Sequence, residues 1–164
     1  MGEVRSLPEL RSIRERLRAG GRLVVFTNGC FDLIHSGHVR YLAAARALGD
    51  HLIVGLNSDD SVRRLKGAGR PILPAEDRAD ILAALRAVDY VVVFDDDTAE
   101  PLVAALQPDI YVKGGDYRAG TDGGKPLPEA AIVARYGGRV ELVDLHAGRS
   151  TTDIIRTVLE RYGG

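Results

Sequence analysis

The segment "RLVVFTNGCFDLIHSGHVRYLAAARALG", residues 22–49, decides the fold. It passes from a β-branched apolar run (22–27) through a short turn (28–32) into an Ala/Leu/Arg stretch at helical spacing that stops at Gly49. The pattern recurs: runs 51–56, 89–94, 109–113 and 139–144 read as strands, and stretches 58–65, 75–88, 98–106, 127–136 and 151–162 as helices. The first four strands, 22–27 to 109–113, are near-continuously apolar, so they are covered on both faces. Right-handed crossovers between them predict a doubly wound, Rossmann-like α/β domain with a parallel sheet of about five strands. Ser6-Leu7-Pro8-Glu9 has the form of a capping box with an early proline, so a leading helix within 1–21 precedes a core at 22–164, and 1–164 is expected to be one domain.

Composition narrows the class. The chain has 164 residues, 45% of them hydrophobic, and its 22 Lys and Arg against 23 Asp and Glu give a formal net charge of -1. That balance argues against a nucleic-acid surface. One cysteine, Cys30, excludes an internal disulfide, the first twenty residues lack the apolar core of a signal peptide, and no apolar run approaches the ~18 residues of a membrane span. A cytoplasmic protein with no membrane partner is the expectation.

Ligands of such sheets sit beyond the carboxyl ends of the strands. The turn after the first strand, Asn28-Gly29-Cys30-Phe31-Asp32, contains no G-x-G-x-x-G, which removes the main support for a nicotinamide dehydrogenase. Around Gly124-Lys125, Ala119 stands where a phosphate-binding P-loop needs its first glycine and Pro126 where it needs Ser or Thr. What the first turn does contain is His35 and His38, two of only four histidines, at i and i+3 on a helix start with Gly37 between them. Unpaired N–H groups and the helix dipole favour an anion there, Gly37 allows close approach, and two imidazoles can donate to a phosphoryl group. Zinc ligation is the competing chemistry, but a structural site wants about four ligands and the only nearby thiol is Cys30. A surface or core role is the other alternative. Asp95-Asp96-Asp97 reads as the acidic start of the following helix, not as a metal site.

"TNGCFDLIHSGH" (27–38) resembles the H-x-G-H signature of the nucleotidyltransferase superfamily, and "STTDIIR" (150–156) its C-terminal Ser/Thr signature. Together with "DIYVKGGDY" (109–117), the stretch from Asn28 to Ile72 is most similar to the heptose 1-phosphate adenylyltransferases, and the similarity covers about 23–158. The resemblance implies transfer of a nucleoside monophosphate from an NTP, ATP first, to a sugar 1-phosphate such as D-glycero-β-D-manno-heptose 1-phosphate, with release of pyrophosphate. It also implies Mg²⁺ arriving on the triphosphate, a homodimer, and a separate sugar kinase that supplies the acceptor.

By that resemblance His35, His38 and Lys66 are catalytic. Thr27, Asn28, Gly29, Cys30, Phe31, Gly37, Lys113, Gly114, Gly115, Asp116, Ser150, Thr151 and Thr152 bind the nucleotide, and Asp32, Arg70 and Arg78 the acceptor. Simpler roles stand beside these: Lys66 as a solvated lysine, Asp32 as a turn residue, Arg78 in a local pair with Glu76 or Asp77, and 113–117 as a tight turn. Glycerol-3-phosphate cytidylyltransferases share both motifs but carry a basic residue and a threonine where this chain has Leu145-His146-Ala147-Gly148-Arg149. CTP and GTP stay open as donors.

Overall fold

The computed structural model of the chain describes residues 1–114, 126–143 and 150–163. Among them the order is β1 (Glu3–Val4), α1 (Leu7–Ala19), β2 (Val24–Gly29), α2 (Ser36–Arg46), β3 (His51–Asn57), α3 (Asp59–Lys66) and α4 (Ala75–Ala84). There follow β4 (Tyr90–Phe94), α5 (Glu100–Leu106), β5 (Ile110–Gly114), α6 (Glu129–Arg135), β6 (Arg139–Val143) and α7 (Thr151–Tyr162). The strands form one sheet of six, in the order β1-β4-β3-β2-β5-β6, every pairing parallel.

Alternation along β2 shows why the sheet is covered twice. Val25 packs with Tyr41, Leu42, Leu82 and Val112 on one face, while Val24 and Phe26 pack with Leu10, Leu102, Val103 and Tyr111 on the other. The helices between strands supply both layers, as period-2 strands with two apolar faces require. The sequence missed β1, which has only two residues, both exposed, and so carries no apolar run to read. The expected helix 75–88 ends at Ala84 because Leu85 turns to extended backbone, φ -74 and ψ 129. The capping box at the first helix is present, with the Glu9 carboxylate accepting from the N–H and the hydroxyl of Ser6 at 2.8 and 2.6 Å.

Topology creates the cleft. β2 pairs with β3 along its whole length, to Gly29↔Leu56, but with β5 only at Val25↔Ile110 and Phe26↔Tyr111. Beyond those pairs β2 and β5 part, at the place where the chain's winding reverses and where such sheets hold ligands. Side chains bridge the opening. The Tyr41 hydroxyl donates to the Val112 carbonyl at 3.1 Å and meets Thr27 Oγ1 at 2.8 Å, tying α2 to both strands.

Candidate active site

A cleft of about 630 Å³ opens at this fork. Asn28, Gly29, Cys30, Phe31 and Asp32 line it from the end of β2, His38 from α2, Lys66 and Arg70 from the segment after β3, Lys113 and Gly114 from β5, and Thr151 and Thr152 from α7. Two motifs more than a hundred residues apart in the chain therefore share one space.

The start of α2 is built from its own histidines. His35 is the N-cap in extended backbone, and its Nδ1 accepts from the Gly37 N–H at 3.1 Å. His38 Nδ1 accepts from the His35 N–H at 3.4 Å. In each neutral ring the proton is then on Nε2, which becomes the hydrogen-bond donor. The rings lie 3.9 Å apart by centroid, and His38 also meets Phe31 edge-on at 5.4 Å. Phe31 reaches it from positive φ, 45°, and its ring passes so close over Gly29 that a Cβ there would lie 3.1 Å away. Burial, and next the neighbouring His35, push His38 down to about 4, so at neutral pH it is an uncharged donor. The Gly37 N–H, expected to face an anion, is taken by His35, and only His38 of the pair lines the cleft.

Asn28 is oriented too. Its Oδ1 accepts from the Tyr111 hydroxyl at 2.7 Å and its carbonyl from Lys113 Nζ at 3.3 Å, which leaves the amide Nδ2 as the donor of this cleft residue. Cys30 contributes no nucleophile, because burial pushes its thiol up despite Lys66, Arg78 and Arg70 nearby.

Three expected contacts go elsewhere. Arg78 is fully buried, its guanidinium donating to the carbonyls of Leu73 (2.9 Å), Cys30 (2.5 Å) and Asn57 (3.0 Å) and pairing with Asp59 at 2.7 Å. It cannot meet an acceptor, nor does it pair with Glu76 or Asp77; it fastens the loops after β2 and β3 to α4. Thr27 is likewise fully buried and spends its hydroxyl on Tyr41, so it supports the nucleotide cleft without lining it. Ser150 caps α7, accepting from the Asp153 N–H at 3.1 Å and donating to its carboxylate at 2.7 Å, which leaves Thr151 and Thr152 as the hydroxyls in the cleft.

Asp32 and Arg70 hold each other. The Asp32 side chain is fully buried, pairs with Arg70 at 2.5 Å, and accepts from the N–H groups of Ile72 (2.8 Å) and Leu73 (3.0 Å). Burial pushes its carboxyl up, and the Leu73 and Ile72 N–H groups with Arg70 outweigh that, holding it below the ordinary value. Lys66 stands exposed at the end of α3 and lines the cleft. Gly115 and Asp116 lie outside the described residues. The acidic run after β4 does not cap the next helix, which starts only at Glu100; Asp97 pairs with Arg64 at 2.8 Å and Asp95 accepts from Ser58. Among the described residues no three His, Cys, Asp or Glu side chains converge as a metal site, and no helix is long and apolar enough to cross a membrane.

Sequence reasoning missed Tyr41, Asn57, Thr98, Tyr111 and Glu129. Asn57 ends β3 and Thr98 follows β4, at strand ends that the topology rule marks, so that signal was available. Tyr41 and Tyr111 look like core positions, and Glu129 like an ordinary acid in a first helical turn.

Comparison with known proteins agrees with this geometry. The cytidylyltransferase-like family matches residues 26–156. The chain is 58% identical over 160 residues to a bifunctional protein HldE from Syntrophotalea carbinolica, with 98% of this chain aligned to 32% of that one. With the bifunctional protein HldE of Geobacter sulfurreducens it shares 54% over 161 residues, 98% of this chain against 32% of the relative. The chain thus spans about a third of the length of these relatives. Among solved structures, a lipopolysaccharide core biosynthesis protein from Thermoplasma volcanium GSS1 superposes with TM-score 0.61 at 25% identity, over 79% of this chain and all of that one. A pantoate-beta-alanine ligase from Francisella tularensis, at 12% identity and TM-score 0.60 over 93% of this chain and 69% of that one, shares the fold. Fork, histidine-capped helix and family pattern coincide on the same residues, and the chain belongs to the cytidylyltransferase-like family.

Proposed function

We propose that the chain is a nucleotidyltransferase that joins the AMP of ATP to a sugar 1-phosphate, D-glycero-β-D-manno-heptose 1-phosphate, giving ADP-heptose and pyrophosphate. The observation that carries this reading is the histidine pair with both Nδ1 atoms committed to backbone N–H groups, one ring lining a cleft shared with Lys66, Lys113, Thr151 and Thr152. The relatives named bifunctional protein HldE support the heptose, as does a structural neighbour named for lipopolysaccharide core biosynthesis.

The acceptor phosphate is already anionic near neutral pH, so its oxygen attacks the α-phosphorus directly. A new P–O bond forms as the bond to the β-phosphate bridging oxygen breaks, pyrophosphate leaves with that electron pair, and no proton is abstracted. What the protein supplies is charge complementarity and position. His38 Nε2–H, with His35 beside it, donates to the α-phosphate oxygens; Lys66 and Lys113 carry positive charge to the phosphates; Thr152 offers its hydroxyl, and Thr151 and Thr152 their helix-start N–H groups, to the β- and γ-phosphates. Arg70, steadied by Asp32, faces the acceptor phosphate. Mg²⁺ would arrive mainly on the triphosphate, with few protein ligands, and would neutralise phosphate charge there. The reading carries a homodimer in the cytoplasm and a kinase activity that supplies the acceptor.

Pyrophosphate release tests it, measured with ATP, CTP, GTP and UTP against heptose 1-phosphate, glucose 1-phosphate and glycerol 3-phosphate. Fastest turnover with ATP and heptose 1-phosphate is expected. Preference for CTP with glycerol 3-phosphate would move the chain to the cytidylyltransferase branch, and no release with any pair would end the transferase reading.

A further inference from the structure

Among the described residues three carboxylates line the cleft: Asp32, Asp97 and Glu129. Asp32 is used up by Arg70 and two backbone N–H groups, and the exposed Asp97 is paired with Arg64. Glu129 differs from both. It opens α6 yet is only 4% exposed, and its Oε1 accepts from the Ala99 N–H at 2.9 Å, where α5 begins. Among the described residues no cation pairs with it and no second donor meets its Oε2, which stays open to the cleft.

A carboxylate this buried, with no counter-ion among the described residues, gains from donors that a ligand in the cleft would bring to its open oxygen. The chemistry around it says what kind. Lys66, Lys113 and His38 suit phosphate, whereas Glu129 repels phosphate and accepts from neutral O–H groups. We propose that Glu129 reads the hydroxylated ring of a substrate, vicinal hydroxyls donating to its Oε2 while Oε1 holds the start of α5. This rests on the transferase reading. The ring is the ribose of the nucleotide or the sugar of the acceptor, and the two sources separate by experiment.

Glu129→Gln is the informative change. Its amide oxygen keeps the Ala99 contact, while its Nε2 presents a donor where the ligand needs an acceptor. Dissociation constants for ATP, 2′-deoxy-ATP, 3′-deoxy-ATP and heptose 1-phosphate are measured by calorimetry on the full chain, with thermal melting as the fold control. One substrate is expected to bind about tenfold more weakly to the variant, the size of a lost charge-assisted hydrogen bond. If the source is ribose, a deoxy-ATP shows that same loss on the wild type and no further loss on the variant. If it is the acceptor, heptose 1-phosphate alone weakens. Glu129→Asp, which keeps the charge but withdraws it by one methylene, should weaken the same substrate by less, and it serves as the test if the Gln variant does not fold. Unchanged constants for both substrates, a change only in the Mg²⁺ requirement, or a wild type that binds neither substrate each overturns the proposal. Absent pyrophosphate release with this binding pattern intact would refute the transferase reading and leave the hydroxyl reader standing.

Discussion

The cleft is framed by two helix starts that are held in different ways. At α2 everything is fixed by the fold: two histidines cap the helix and each other, Phe31 packs on His38, and Tyr41 bolts the helix to β2 and β5. At α7 no residue is buried, and among the described residues a Thr151 hydroxyl donating to the Leu33 carbonyl at 3.5 Å reaches into the body. Val158, Leu159 and Tyr162 stand 50%, 62% and 81% exposed along the same helix. Under the proposed function, the phosphate contact at α2 is organised before a ligand arrives, whereas the one at α7 would be organised by the ligand. Loss at α2 should therefore appear in turnover, and loss at α7 in binding.

Removing the buried tie beneath the organised half should have the largest effect. Arg78→Ala strands Asp59 and three carbonyls. It should cost about 3 kcal/mol, a fall in Tm of about 6–12 °C by calorimetry. A melting point within a degree or two of wild type would show that the loops hold without it. His38→Ala should lower kcat at least ~100-fold with Tm preserved, as for a lost transition-state donor; near-normal turnover would take the imidazoles out of the chemistry. Thr152→Ala should instead raise the KM for the nucleotide about tenfold with kcat little changed, a lost hydrogen bond to a charged group. A fall in kcat alone would erase the contrast between the two helix starts. Ser150→Ala, which removes the cap from α7, should cost about 1 kcal/mol of helix stability, seen as faster amide exchange over 151–155.

The smallest effect is on pH. His38 titrates at about 4 in the folded chain against an ordinary 6.5, so on acidification the unfolded chain takes up the proton first. Stability is therefore complete above 6.5 and is lost as pH falls from 6.5 toward about 4, modestly because the ring is partly solvated. Urea midpoints across that window should fall less steeply in His38→Gln. An identical slope in the variant would assign the acid sensitivity to other groups.

Much of this was legible in the sequence because the informative features are local. An apolar strand, a tight turn and a helix with histidines at i and i+3 can be read within residues 22–49, and the capping residues Ser6 and Ser150 announce their helices. What could not be read is which polar side chain another segment consumes. Arg78 looks like a phosphate ligand and Asp32 like an acceptor contact until their partners, Asp59 and Arg70, come in from elsewhere in the chain. Glu129 looks like a helix-start acid until α5 is seen resting on it. Spacing reports periodicity along one element, whereas burial of a charge depends on which elements meet, and that is decided by the strand order.

The fork between β2 and β5 also divides the sheet mechanically. Four strands on one side and two on the other are joined by two residue pairs, while β5 and β6 share five and β2 and β3 six. The sheet is thus two parts with a short seam, and a nucleotide bound as proposed would lie across it and stitch the parts together. Under the proposed function, substrate binding should then also clamp the β5–β6 edge, whose amide protection is expected to rise with occupancy of the cleft.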